Sequence, residues 1–352
     1  MKMGPKGENL IFLLSQSRSG STMLQRILGC HSQIHTATEP TFLFNPLRAL
    51  RPDGYVSSHA GEWVPKTIRA FLKILPGGEE EYFEGLRQMA GHIYDRALQG
   101  SGKRYFLDKT TPYYAFVIPE LYRTFPEAHF IILFRNPVAV LCSTLTTFGG
   151  ADHSCPSTYQ EDLVRTPPLL LEGIKLIGEK CSVIHYEHLV NEPEHELRRV
   201  CDKLGLRFEP EIVGYGSHGL PRWAHGDQVG VYQHTRPDPS HMEKWRQTVK
   251  EPQVWRLARD YLELLGNKTI ERTGYSYEEL RRDLEACRPG RIPLLFTFSF
   301  DQLSNRTFEQ NHRREPFGMR FARSLYQRGF WKTLGRVMGK VILVVKKGRG
   351  VA

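Results

Sequence analysis

The chain lacks long apolar runs. None approaches the ~20 apolar residues of a membrane span, and Leu10–Leu14, the first apolar run, is bounded by polar residues on both sides. Met1–Glu8 is polar and does not read as a signal peptide. The six cysteines (Cys30, Cys142, Cys155, Cys181, Cys201 and Cys287) form no Cys-x-x-Cys pair, which argues against a zinc site and against a disulfide framework. These absences predict a cytoplasmic protein, in which the sequons at Asn267 and Asn305 carry no meaning. Excess charge is also missing from most of the chain. From Arg288 to Ala352 there are 14 Lys/Arg against 3 Asp/Glu, so this extension carries +11 of the net +10 and residues 1–287 sum to −1. A nearly neutral body is not a nucleic-acid surface.

The last absence is a lysine. Leu10–Leu14 runs into a Ser/Gly loop and then an amphipathic helix, the order that aims backbone N–H groups and a helix dipole at an anion. Gly20-Ser21-Thr22 stands where a phosphate-binding loop of a nucleoside triphosphatase reads Gly-Lys-Ser/Thr, and Arg18 lies on the loop instead. The best second strand, His129–Phe134, ends in Arg135 where a magnesium-dependent enzyme would place an aspartate. A metal-free site gripping an anionic nucleotide at two points follows from that pair of substitutions.

Short strand-like runs at Leu10–Leu14, Arg104–Leu107, Phe130–Phe134 and Ser182–Tyr186 alternate with helical periodicity, which predicts an α/β fold with a parallel sheet. A helical insertion is expected over Pro46–Leu98. Phe148–Pro168, rich in Gly, Ser, Thr and Pro, shows no period and reads as a lid or a surface loop. Near the end, Leu334, Val337, Met338, Val341, Ile342 and Val345 recur at helical spacing beside Lys332, Arg336 and Lys340. This basic amphipathic helix would dock on the body, or lie on an anionic membrane or an acidic partner.

Three segments in this order resemble the sulfotransferases that use 3′-phosphoadenosine 5′-phosphosulfate (PAPS), nearest the tyrosylprotein and bacterial branch. They are Ser17-Arg18-Ser19-Gly20-Ser21-Thr22, then Arg135-Asn136-Pro137 with Ser143 eight residues after the arginine, and Val183–Val190 with Tyr186-Glu187. The resemblance covers roughly residues 8–250 and implies a three-layer parallel sheet of P-loop-like sulfotransferase topology over residues 1–287, followed by the basic extension 288–352. It also implies transfer of a sulfuryl group from PAPS to an acceptor hydroxyl or amine, without a metal.

The resemblance further assigns roles. Arg18, Ser19, Gly20, Ser21 and Thr22 would hold the 5′-phosphosulfate, while Arg135 and Ser143 would hold the 3′-phosphate with Tyr186 against the nucleotide. Glu39, twenty-one residues after Arg18, would be the base, and Lys109 would neutralise the leaving oxygen. Each role has a plainer alternative: Glu39 as a surface carboxylate in a turn, Lys109 as a partner of Asp108, and Tyr186 as a core tyrosine. Asp227-Gln228-Val229 and Lys244-Trp245 resemble a late segment that closes over the cofactor, but His225-Gly226 stands where the family has a serine. His234 and His241 receive no role. The rival readings are a nucleotide kinase and a non-catalytic nucleotide-binding or membrane-peripheral module. The acceptor is not specified by any motif.

Overall fold

The computed structural model describes Gly4 and residues 6–51, 63–149, 157–223, 226–227 and 230–290. The predicted basic helix of the C-terminal extension lies outside the described residues. Five strands form one parallel sheet: β1 (Leu10–Ser15), β2 (Ile34–Thr36), β3 (Tyr105–Lys109), β4 (His129–Phe134) and β5 (Cys181–His185), in the order β2-β3-β1-β4-β5. Register pairs Leu13 with Lys109, Ser15 with Leu133 and Phe134 with His185, so the strands end close together. The connections leave β1 to one side for β2 and β3, and to the other for β4 and β5. Ligands in such sheets bind at that reversal, outside the carboxyl ends of the strands.

Alternation along the strands builds the two faces. Leu10, Phe12 and Leu14 point with Phe130, Ile132 and Phe134 into one core, which α4 (Glu79–Leu98), α5 (Ile118–Thr124) and α7 (Ser157–Ile177) cover. Ile11 and Leu13 point with Ile131 and Leu133 into the other, against α1 (Ser21–Gly29), α8 (Tyr186–Asn191) and α9 (Pro193–Lys203). In α1 the buried Leu24, Ile27 and Leu28 supply about 1.5–3 kcal/mol each. Between β2 and β3 lie α2 (Phe44–Arg48) and α3 (Trp63–Leu72) ahead of α4, as the expected insertion. After β4 comes α6 (Pro137–Phe148). It packs Val138, Leu141 and Leu145 on a third core formed with α11 (Trp245–Thr248), α12 (Pro252–Arg272) and α13 (Tyr277–Ala286). A short α10 (Gly230–Gln233) precedes them.

Two expectations change. The stretch read as a loop to Pro168 is helical from Ser157 onward, with Pro167 and Pro168 inside α7. Glu39 does not simply follow the first helix: the edge strand β2, too short for a sequence signal, intervenes and delivers Glu39 to a strand end. The end of α1 is tied down by Lys103, whose Nζ donates to the carbonyls of Gly29 (3.1 Å), His31 (3.0 Å) and Ile34 (2.9 Å). Among the described residues no helix is long and apolar enough to cross a membrane.

Candidate active site

At the carboxyl end of β1 the chain turns sharply. Gly20 adopts φ 93° as the N-cap of α1, with no side chain capping the helix, so the first N–H groups stay open to a ligand. A Cβ at Gly20 would lie 2.6 Å from the Tyr186 ring, so only glycine fits between the loop and α8. Arg18 also lies in the left-handed region at φ 67°, a conformation costing roughly 1–2 kcal/mol for a residue with a Cβ. The loop is held from beneath: Asp162 of α7 accepts from Ser17 N–H at 2.9 Å, and Gln16 Nε2 donates to Leu163 O at 3.3 Å. Burial pushes the Asp162 carboxyl up to about 6.

The opening of α1 faces a buried ion pair. Lys109, at the end of β3, is 2% exposed and its Nζ contacts Glu39 Oε1 and, at 3.2 Å, Thr22 Oγ1. Lys109 therefore pairs with Glu39, not with its neighbour Asp108. Burial pulls the ammonium below its ordinary range, and the Glu39 carboxylate opposes that pull. Asp108 is fully buried and turned the other way. It accepts from Tyr94 at 2.5 Å and Thr110 at 2.9 Å, and burial raises its carboxyl to about 6. Thr110 in turn accepts from Thr41 N–H at 3.3 Å, which fixes the turn carrying Glu39. Gly226 lies over the pair and Asp227 N–H donates to Thr22 Oγ1 at 3.2 Å, so these two residues reach the start of α1.

On the other side of β1, the end of β4 presents Arg135. Its guanidinium sits 4.2 Å over the Tyr186 ring and donates from Nη1 to Arg18 O at 3.0 Å. Arg18 Nε donates to Ser143 Oγ at 3.2 Å, so the predicted residues of both nucleotide ends share one network in the free protein. Glu187 accepts from Asn136 N–H at 3.0 Å and from Tyr275 at 2.6 Å, holding the strand end that carries Arg135. All ten predicted side chains or backbones converge on one region, and most line a cleft of about 740 Å³. Arg135 Nε, on the wall of the cleft, and Ser19 Oγ, in the loop beside it, are buried polar atoms without a hydrogen-bond partner among the described residues, as expected of donors kept for a ligand. Sequence reasoning missed Asp162, which no motif marks, and left Glu187 without a role although it follows Tyr186.

An open helix end whose loop lacks the usual lysine, beside an arginine-bearing strand end, is the layout of a nucleotide-binding α/β fold. A sequence model of the Sulfotransferase family matches residues 10–210, more than half of the chain, and the chain belongs to that family. It is 27% identical over 290 residues to nodulation protein NoeE of Sinorhizobium fredii, covering 76% of this chain and 66% of that protein. It is 23% identical over 211 residues to protein-tyrosine sulfotransferase 2 of Gallus gallus, covering 58% and 53%. A shorter match, 36% over 110 residues, joins it to omega-hydroxy-beta-dihydromenaquinone-9 sulfotransferase Stf3 of Mycobacterium tuberculosis, covering 27% of each chain. The chain spans less than two thirds of the length of each of these relatives. Among solved structures it is similar to the sulfotransferase domain from the curacin biosynthetic pathway, with 24% identity, 68% and 90% coverage and a TM-score of 0.45. Mouse sulfotransferase SULT7A1 complexed with PAP is similar at 12% identity, 79% and 89% coverage and a TM-score of 0.43.

Proposed function

We propose that this sulfotransferase moves the sulfuryl group of PAPS to an acceptor hydroxyl by in-line attack, with Glu39 as the base. The observation that carries the reading is the meeting of Glu39, Lys109 and Thr22 at the open N-terminus of α1, where the Lys109 side chain is 2% exposed and that of Glu39 15%. The residues fit the donor. Open N–H groups and the unpartnered Ser19 hydroxyl suit its 5′-phosphosulfate, and the free Nε of Arg135 suits its 3′-phosphate. The acceptor O–H gives its proton to Glu39 as its oxygen bonds to sulfur, and the bond from sulfur to the bridging phosphate oxygen breaks. The electron pair leaves on that oxygen, where Lys109 Nζ neutralises it, while Arg18 balances charge on the transferring group.

Lys109 serves this role best after leaving Glu39, so donor binding would release the carboxylate for base duty. Two of the relatives are named for a protein tyrosine and for an omega-hydroxy quinone, and both names specify a hydroxyl, which favours a hydroxyl over an amine here. The +11 charge of residues 288–352 would draw the protein to an anionic membrane surface or an acidic partner.

The test has two arms. Adenosine 3′,5′-bisphosphate should raise the melting temperature, and ATP with magnesium should not; the reverse pattern would sink the reading in favour of a kinase. Glu39→Gln should lower turnover of labelled PAPS with a responsive acceptor by about 10²–10⁴-fold while the bisphosphate still binds. Unchanged turnover would remove Glu39 from the mechanism.

A further inference from the structure

Between α10 and α11 the chain folds two imidazoles against each other at the edge of the same cleft. His241 Nε2 lies 2.7 Å from His234 Nε2, and Lys244 Nζ lies 3.4 Å from His241 Nε2. His234 Nδ1 stands 3.7 Å from Asp238 Oδ2, but that carboxylate is engaged by Ser240, through N–H at 2.8 Å and Oγ at 2.7 Å. Two ring nitrogens at that separation hold one proton between them, one donating and the other accepting. A second proton would make both of them donors. They would then have to part and turn towards an acceptor, and the adjoining cleft is where an anion's oxygens would stand.

The charges around the pair decide which kind of ligand suits it. Facing His241 are Lys244 and Asp238 of its own segment, His234, and Arg135 from the end of β4. Tyr186 of α8 lies beneath Arg135 and is itself held in its neutral form chiefly by burial. Two fixed cations beside a carboxylate already bonded to serine make a poor cation site, although His234, Asp238 and His241 bring ligand atoms within 4.8 Å of one another. They make a good one for a phosphate monoester dianion.

Resting on the donor assigned above, we propose that His234 and His241 form a protonatable clamp for the 3′-phosphate at the Arg135 end of the nucleotide. The clamp closes on the dianion with uptake of a proton from the buffer. In the free protein, burial first and then Lys244 hold His241 below its ordinary value of 6.5, so His241 is neutral near pH 7. A bound dianion reverses the local field and raises that value. The sign follows: affinity rises as pH falls through the window between the raised bound value and the lowered free value, and levels off below the latter. Below about pH 6 the phosphate's own second protonation opposes further gain.

The experiment is calorimetric titration of the full chain with adenosine 3′,5′-bisphosphate near pH 7.5, in two buffers of different ionisation heat. Different apparent heats, corresponding to a fractional proton taken up, are expected. His241→Gln should abolish that difference and weaken binding about three- to tenfold, and adenosine 5′-monophosphate, which has no 3′-phosphate, should bind without uptake. Binding with equal heats in both buffers overturns the clamp alone, as does uptake that persists in His241→Gln. Micromolar zinc binding that His241→Gln removes would show a metal site there and likewise overturn it. No binding of the bisphosphate at all overturns the donor assignment, and the clamp with it.

Discussion

Two helices begin at the carboxyl ends of neighbouring central strands, and they begin differently. α1 starts at Gly20 with no side-chain cap, leaving its first N–H groups available. α6 starts at Asn136, whose side chain accepts from Val138 and Ala139 N–H at 2.9 and 3.2 Å. An open helix end can hold an anion through the backbone and dipole, whereas a closed one must leave the work to side chains, here Arg135 and Ser143. The buried Glu39–Lys109 pair also faces only the open end. On the proposed function, the contrast would give chemistry to the α1 side and grip to the α6 side.

The sharpest way to break that contrast is to remove one cation from each side. Lys109→Met should cost about 2.7–4 kcal/mol of transition-state stabilisation, seen as lost turnover at saturating donor. Arg135→Gln should instead weaken adenosine 3′,5′-bisphosphate binding by roughly 1.5–3 kcal/mol with turnover at saturation largely kept. If both changes fall on the same kinetic parameter, the division between the sides is wrong. A smaller effect tests the open end itself. Gly20→Ala puts a methyl group into the Tyr186 ring and a Cβ at positive φ, and should lower stability by about 1–3 kcal/mol in a denaturant titration and reduce nucleotide affinity with it. The smallest tests the closed end: Asn136→Ala should cost about 1 kcal/mol of stability and leave bisphosphate affinity unchanged. An affinity loss there as large as for Arg135→Gln would mean the α6 terminus binds the ligand directly.

The sheet was legible because its strands are short apolar runs, and all four expected ones appear within two residues of their predicted ends. β2 was not, since Ile-His-Thr has too few residues to show a period. The loop and Arg135 could be read because their chemistry needs fixed residue types at strand ends. Ser143, Tyr186, Lys109 and Glu39 came only through the family pattern. Nothing local says that two residues seventy apart will form a buried pair. Asp162 and the His234–His241 pair were invisible for a related reason: each acts through a contact that only the tertiary fold creates.

Lys103 touches nothing in the cleft, yet it bears on how the cleft can move. Its ammonium ties Gly29, the last residue of α1, to the following turn at His31 and to β2 at Ile34, one helix length or about 13 Å from the anion end. Tied to β2 there, α1 would resist sliding along its axis. On the proposed function, room for one nucleotide to leave and the next to arrive would then have to come from Arg18–Gly20 and from Gly226–Asp227 above them. The helix stays behind as the fixed jaw.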